Sequence, residues 1–147
     1  MIIGVGFLLF SADKILIIRE NKDKPEICKK AGMLTFPLET FKEDDKSFFG
    51  TIERIIEEEI GIGFSTIQEI KKIEIASFAR NLIPNRADIL TVYGTGVFFG
   101  NTLSSLSPKD PDVDFFGWMK ISEIMDHECK RVEVAPILNH FMMKSKK

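Results

Sequence analysis

Hydrophobic residues run together or alternate with polar ones over five stretches that predict β-strands. The first two, residues 2–10 and 14–20, are rich in β-branched and aromatic side chains, and the Ser-Ala-Asp between them is typical of a turn. They predict a hairpin. Two longer stretches, residues 67–79 and 88–99, favour strands by alternation and β-branching, and residues 115–119 predict a short one.

A helical period replaces this pattern between Phe48 and Ile60. Placed at about 100° per residue, the apolar side chains of this run form one contiguous arc. Ser47 precedes the run and can cap it through its side-chain oxygen, and Gly61 follows where a residue free of Cβ strain is expected. The sequence therefore predicts one amphipathic helix over Phe48–Ile60.

The rest of the chain predicts loops and two further helices. A lysine-rich loop is expected at residues 21–32 and a surface loop at 100–114. A helix capped near Ser122 and a last helix around residues 136–143 complete the pattern. Without a repeat or a linker, the 147 residues predict one domain of the α/β (α+β) class, with helices covering a β-sheet.

Composition narrows the classes of function. The net charge of -2 gives no sequence-wide attraction to nucleic acid or to an anionic membrane. The apolar N-terminal stretch ends at Asp13, well short of the roughly 20 residues that span a bilayer. Cys28 and Cys129 match no metal or redox spacing. These features favour a cytoplasmic protein with two unpaired thiols.

The acidic run Glu57-Glu58-Glu59 lies inside the predicted helix. Glu57 falls outside the apolar arc, and Glu58 lies four residues after Arg54, where an ion pair on the helix surface is one reading and metal ligation the other. Glu59 projects into the arc itself, where a carboxylate is costly without a cation or hydrogen-bond donors. Either the arc opens to solvent at this turn, or Glu59 reaches into a cleft and binds a hard cation such as Mg²⁺.

Three segments of the chain together resemble a known family. The run "RIIEEEIGI", residues 54–62, is similar to the second half of the Nudix box, GX5EX7REUXEEXGU, in which U is aliphatic. "GMLTFP" at residues 32–37 looks like the segment that precedes the box, and "FFGWMKISEIM" at 115–125 is similar to a tryptophan strand and following helix of the family. The box positions that match are Arg54, Ile56, Glu58, Glu59, Gly61 and Ile62.

The resemblance implies a sandwich of mixed β-sheet between helices and an activity. Family members cleave nucleoside diphosphates linked to another moiety, using Mg²⁺ or Mn²⁺ held by box glutamates. It assigns catalytic roles to Arg54, Glu58 and Glu59, and metal ligation to Glu58, Glu59 and Asp114. It also gives substrate contacts to Arg19, Phe36 and Glu39.

Several box positions depart from the family pattern. Ile55 stands where the family places a carboxylate one helical turn before Glu59. Lys46 occupies the position of an earlier glutamate, and Leu38 and Glu39 replace a pair of glycines when Pro37 anchors the alignment. The metal site is therefore expected to be either weak or rebuilt with other oxygens.

The aspartates that precede Trp118 are the candidates for a rebuilt site. Asp110, Asp112 and Asp114 offer carboxylate oxygens, although the same composition is typical of a plain turn. Two functions stay open: a Nudix-like hydrolase, and a non-hydrolytic module that binds a nucleotide-type small molecule. A structural role through a phenylalanine-rich homodimer interface is a third reading.

Overall fold

The computed structural model describes residues 1–60, 70–102 and 106–145, and a mixed sheet lies between helices in it. The strands of this described part are β1 (Ile2–Ser11), β2 (Lys14–Glu20), β3 (Leu34–Thr35), β4 (Leu38–Thr40), β5 (Ile70–Arg80), β6 (Ile89–Phe98) and β7 (Val113–Lys120). Its α-helices are α1 (Phe48–Ile55), α2 (Ile121–Asp126) and α3 (Val134–Ser145). A π-helical turn, Ile56–Ile60, continues α1, and short 3-10 turns occupy Pro25–Ile27 and Glu43–Asp45.

Strand β1 is the centre of the sheet. The strands follow the order β3-β2-β1-β6-β5, while β4 pairs with β1 and β7 pairs with β2. The β1–β6 pair is parallel and runs from Ile2 opposite Ile89 to Phe10 opposite Val97, whereas the other pairs are antiparallel. The predicted hairpin of β1 and β2 is confirmed, with its turn at Ala12.

Alternation along β1 sends side chains into two cores, one on each face of the sheet. Phe7 and Leu9 pack with Ile52 of α1 on one face. Leu8 packs with Ile137 of α3 on the other. The predicted sandwich of sheet between helices is therefore confirmed.

The start of α1 agrees with the sequence, but its end does not. The amide of Gly50 donates to the Ser47 side chain at 3.1 Å, so the predicted cap is present. The predicted helix does extend to Ile60, but its last turn, Ile56–Ile60, is π-helical rather than α-helical. In that turn the carbonyl of Glu58 accepts from the loop amides of Lys109 at 2.7 Å and Asp110 at 3.0 Å. Glu58 lies in the last described turn of the helix, and carbonyls near a helix end are free to accept such bonds from outside the helix.

The cap of α2 differs from the prediction, and two other predicted features lie outside the residues that the structure describes. The cap of helix α2 is Lys120, two residues before the predicted Ser122, because the Glu123 carboxylate accepts from the Lys120 amide at 3.0 Å. The predicted helix stop at Gly61 and the predicted strand residues 67–69 lie outside the described residues. No helix of the described part is long and apolar enough to cross a membrane.

Gly94 of β6 allows α1 to approach the sheet. A Cβ there would lie 2.4 Å from Cδ1 of Ile52 and 2.9 Å from the carbonyl oxygen of Glu74. We expect Gly94→Ala to lower the free energy of unfolding by about 1–3 kcal/mol, since overpacking forces shifts in a filled core. Gly4→Ala is the control, because its Cβ would meet its nearest neighbours at 3.8 and 3.9 Å, which is ordinary contact. Equal stabilities of the two variants in urea unfolding would contradict this account.

Candidate functional site

The guanidinium of Arg54 ties α1 to strand β4 and to the turn before the helix. Its Nη1 donates to the Glu39 carboxylate at 2.6 Å, and its Nη2 donates to the Thr40 carbonyl at 2.6 Å. Its Nε and Nη2 donate to the two oxygens of Asp45, each at 3.0 Å. A planar guanidinium suits such paired contacts, and the carboxylate partners raise the pKa of Arg54 further.

Asp45 is the fixed partner of this arginine. Its Oδ2 also accepts from the Lys42 amide at 2.9 Å and the Thr51 hydroxyl at 3.0 Å. The hydrogen bond from Arg54 is the main reason why the pKa of Asp45 is lowered to about 2, against an opposing effect of burial. In the comparison with the Nudix box, Lys46 stands at the position of the earlier glutamate. In the structure, Arg54 pairs instead with the carboxylate of Asp45, the residue before Lys46.

Glu59 is buried, as its position in the apolar arc predicts. Its side chain is 3% exposed, and its Oε2 accepts from the Leu38 amide at 3.1 Å. Burial raises its pKa well above the ordinary value, and a hydrogen bond with Glu39 and the charges of Glu39, Glu20 and Asp110 raise it further. The surroundings of Glu59 therefore disfavour its ionised form.

Carboxylates from three parts of the chain meet at Glu59. One oxygen each from Glu39, Glu59 and Asp110 lies within 4.8 Å of the others. Pairing of β4 with β1 places Glu39, and the bonds to the Glu58 carbonyl place Asp110. Three converging carboxylates repel one another unless a proton or a cation intervenes, and oxygen donors are those that Mg²⁺ and Mn²⁺ prefer. The donor set of this acidic cluster fits such a cation.

Two clefts open beside the acidic cluster, and both include Glu39 and Lys42. The first has a volume of about 540 Å³ and is lined by Glu39, Lys42, Arg54, Glu57, Glu58, Lys109 and Asp110. The second measures about 300 Å³, and its charged lining residues are Lys24, Lys29, Lys42, Arg131, Glu39 and Glu133. Apolar side chains on its other side include Ile27 and Ile83.

The remaining predicted ligands lie outside the acidic cluster. The Glu58 side chain is 48% exposed, and its carboxylate lies 4.0 Å from Nη1 of Arg54. This is the surface ion pair that the sequence analysis gave as the alternative to metal ligation. Asp114 pairs across β2 and β7 with Arg19, whose Nη2 lies 3.3 Å from its Oδ2. Among the described carboxylates, Asp110 joins the cluster where the sequence favoured Asp114.

The predicted substrate residues have different surroundings. Phe36 is fully buried in the core on the α3 side of the sheet, so it offers a ligand no surface. Arg19 is half-exposed and paired with Asp114. Glu39 lines both clefts, but its carboxylate belongs to the acidic cluster.

The sequence analysis predicted a substrate contact for Glu39 and placed Asp110 among three candidate aspartates, and both residues belong to the acidic cluster in the structure. The only sequence signal for Glu39 was its position directly after Pro37-Leu38, at one of the two box glycines. Because glycine has no side chain, the family pattern suggests no role for a carboxylate at this position. Asp110 was one of three equivalent aspartates, and only the bond from its amide to the Glu58 carbonyl separates it from the others.

Comparison with solved structures identifies the architecture. A MutT protein from Methanosarcina mazei Go1 aligns with a TM-score of 0.63 at 16% identity, over 99% of this chain and 96% of that chain. The chain has the Nudix fold. A NUDIX domain of Shewanella oneidensis NrtR, complexed with ADP ribose, aligns with a TM-score of 0.60 at 16% identity, over 91% of this chain and 85% of that one.

A bifunctional NMN adenylyltransferase/ADP ribose pyrophosphatase from Francisella tularensis, complexed with AMP and a Mn ion, also aligns. Its TM-score is 0.61 at 16% identity, over 97% of this chain and 41% of that chain. No protein-family model and no curated protein matches the chain.

The Arg54–Asp45 pair predicts a dependence of stability on pH. The folded pKa of Asp45 is lowered from 3.8 to about 2, so its contribution is present above pH 4 and disappears as the pH falls toward 2. We expect Asp45→Asn to lower the free energy of unfolding at pH 7 by about 2 kcal/mol, with a smaller difference at pH 3. Asp88→Asn, which breaks an exposed pair with Arg86, is the control and should change little. A deficit in Asp45→Asn that does not vary with pH would exclude this linkage.

Buried Glu59 predicts the opposite pH dependence. Its folded pKa is raised, so its protonated form is compatible with folding at low pH, and stability is lost as the pH rises and the unfolded chain ionises. In the presence of a chelator, we expect Glu59→Gln to be more stable than the wild type at pH 7, with a smaller advantage at pH 4. Glutamine keeps an acceptor for the Leu38 amide. Thermal unfolding at both pH values tests this, and a variant less stable than the wild type at pH 7 would refute it.

Proposed function

We propose that this protein is a divalent-metal-dependent hydrolase of nucleoside diphosphates linked to another moiety. The observation that carries the proposal is the convergence of Glu39, Glu59 and Asp110 beside two clefts in a Nudix fold. Their carboxylates would hold the cation. When bound, Mg²⁺ or Mn²⁺ lowers the pKa of a water ligand and neutralises diphosphate charge.

The residues around the cation have separate tasks in this proposal. Glu59 would give up its proton on metal binding, since a carboxylate ligand must be ionised. Arg54 holds the Glu39 carboxylate at 2.6 Å and thereby orients a ligand that lies on a short edge strand. Glu39 supplies the second glutamate that Ile55 cannot offer.

The second cleft supports a nucleotide-type ligand. Lys29 and Arg131 on its wall pair with the carboxylates of Glu20 and Glu133, which leaves Lys24 and Lys42 for phosphate oxygens, and its isoleucines suit an apolar surface such as a base. Two of the similar solved structures hold ADP ribose or AMP with a Mn ion. A small molecule of this kind is the proposed substrate; the cytoplasmic location and the homodimer stay predictions.

A binding module without hydrolysis is the second candidate, and Ile55 favours it. Ile55 is fully buried among the side chains between α1 and the sheet, at the box position where the family has a carboxylate. The Glu58 carboxylate also lies outside the acidic cluster. In this reading, the clefts hold a nucleotide and the acidic cluster serves only to orient it.

Turnover of ADP ribose and nucleotide sugars with Mg²⁺ or Mn²⁺ tests the proposal. We expect hydrolysis that needs the metal, and we expect Glu59→Gln and Glu39→Gln to reduce kcat by about 100-fold or more. Glu53→Gln is the matched control, because Glu53 lies on the same helix and outside the acidic cluster. Activity that survives Glu59→Gln unchanged would remove the assignment. Thermal stabilisation by these compounds without turnover would establish the binding module instead.

A further inference from the structure

A cleft on the α3 side of the sheet is separate from the acidic cluster. It lies between β5 and α3, has a volume of about 640 Å³, and falls within the size range of small-molecule sites. The acidic cluster involves the turn after α1, which packs on the opposite face. The residues that line the cleft are Ser77, Arg80, Ala135, Pro136, Asn139, His140, Met143 and Lys144.

The charge of this cleft is one-sided. Arg80 and Lys144 line it, and no aspartate or glutamate of the described chain does. Neither cation forms an ion pair with a carboxylate within the described residues. The guanidinium of Arg80 instead lies over the ring of Phe78, 5.5 Å from its centroid, which leaves its N–H groups free to donate.

His140 is held in one orientation at the wall of this cleft. Its Nδ1 lies 2.7 Å from the hydroxyl of Tyr93, and its ring packs 4.8 Å from the centroid of Phe78. With Nδ1 engaged by the buried tyrosine, Nε2 is the ring nitrogen left for a ligand. A Tyr93 hydroxyl that donates to Nδ1 places the proton of the neutral ring on Nε2, which then acts as a donor.

We propose that this cleft is a binding site for a phosphate-bearing small molecule. Arg80, Lys144 and the Nε2 of His140 are the donors for the phosphate oxygens, and the amide of Asn139 adds a further polar group. Pro136 and the largely exposed Met143 form an apolar wall for the rest of the molecule. Arginine suits this chemistry because its planar fork matches phosphate oxygens, whereas an exposed carboxylate partner would have neutralised it.

NMR titration of the metal-free protein with inorganic phosphate tests the site. The imidazole signals of His140 and the Nε signal of Arg80 are followed at constant pH, with sodium chloride keeping the ionic strength fixed. We expect saturable shifts at both residues, and at least a tenfold weaker apparent affinity in Arg80→Gln. Arg86→Gln is the matched control, because Arg86 is an exposed arginine paired with Asp88 and lies outside the cleft.

The titration has outcomes that overturn the proposal. Shifts that grow linearly without saturation, or an affinity unchanged in Arg80→Gln, would show that phosphate has no site here. The imidazole of His127, which lies outside the cleft, serves as an internal reference and should not shift. Repeating the titration with Glu59→Gln separates this site from the acidic cluster, since binding at the β5–α3 cleft should persist in that variant whether or not the protein hydrolyses nucleotides.

Discussion

The bond between Arg54 and Asp45 is the interaction on which the acidic cluster depends. Asp45 is fixed by a backbone amide and by the hydroxyl of Thr51, so it presents a rigid, ionised carboxylate to the helix. Arg54 then has its remaining N–H groups directed at Glu39 and at the carbonyl of Thr40. One guanidinium therefore holds together the turn before α1, the helix itself and strand β4.

This arrangement explains how buried acidic residues can coexist with a stable fold. Isolated, Glu59 in its apolar surroundings would be costly, and its proximity to Glu39 and Asp110 adds repulsion. Arg54 compensates the charge of Glu39, the amide of Leu38 donates to Glu59, and burial raises the pKa of the Glu59 carboxyl well above its ordinary value. The repulsion that remains between the carboxylates is the reason why a bound divalent cation would stabilise this part of the fold.

The sequence predicted the fold more completely than the site, for a physical reason. Strands β1 and β2, the cap at Ser47 and the burial of Glu59 follow from local periodicity and from side-chain chemistry. The choice of Asp110 over Asp114 does not, because it depends on loop amides, about fifty residues further along the chain, that donate to the Glu58 carbonyl at the end of the helix. Likewise, the pairing of Arg54 with Asp45 rather than with residue 46 reflects the turn geometry at Glu43–Asp45, where Lys46 adopts a left-handed conformation with φ of 66°.

Position 55 carries an apolar side chain and position 39 a carboxylate, and the two act on different sides of α1. Ile55 is fully buried in the core that α1 shares with the sheet, so apolar contact seats the helix at this point. Glu39 reaches α1 from strand β4, and its counter-ion there is Arg54 of the helix. A carboxylate held on a strand by an arginine depends on the other contacts of that arginine, so breaking the Arg54–Asp45 pair would also disturb Glu39. A divalent cation bound at the acidic cluster would therefore couple its affinity to the stability of the turn before α1 through a single guanidinium.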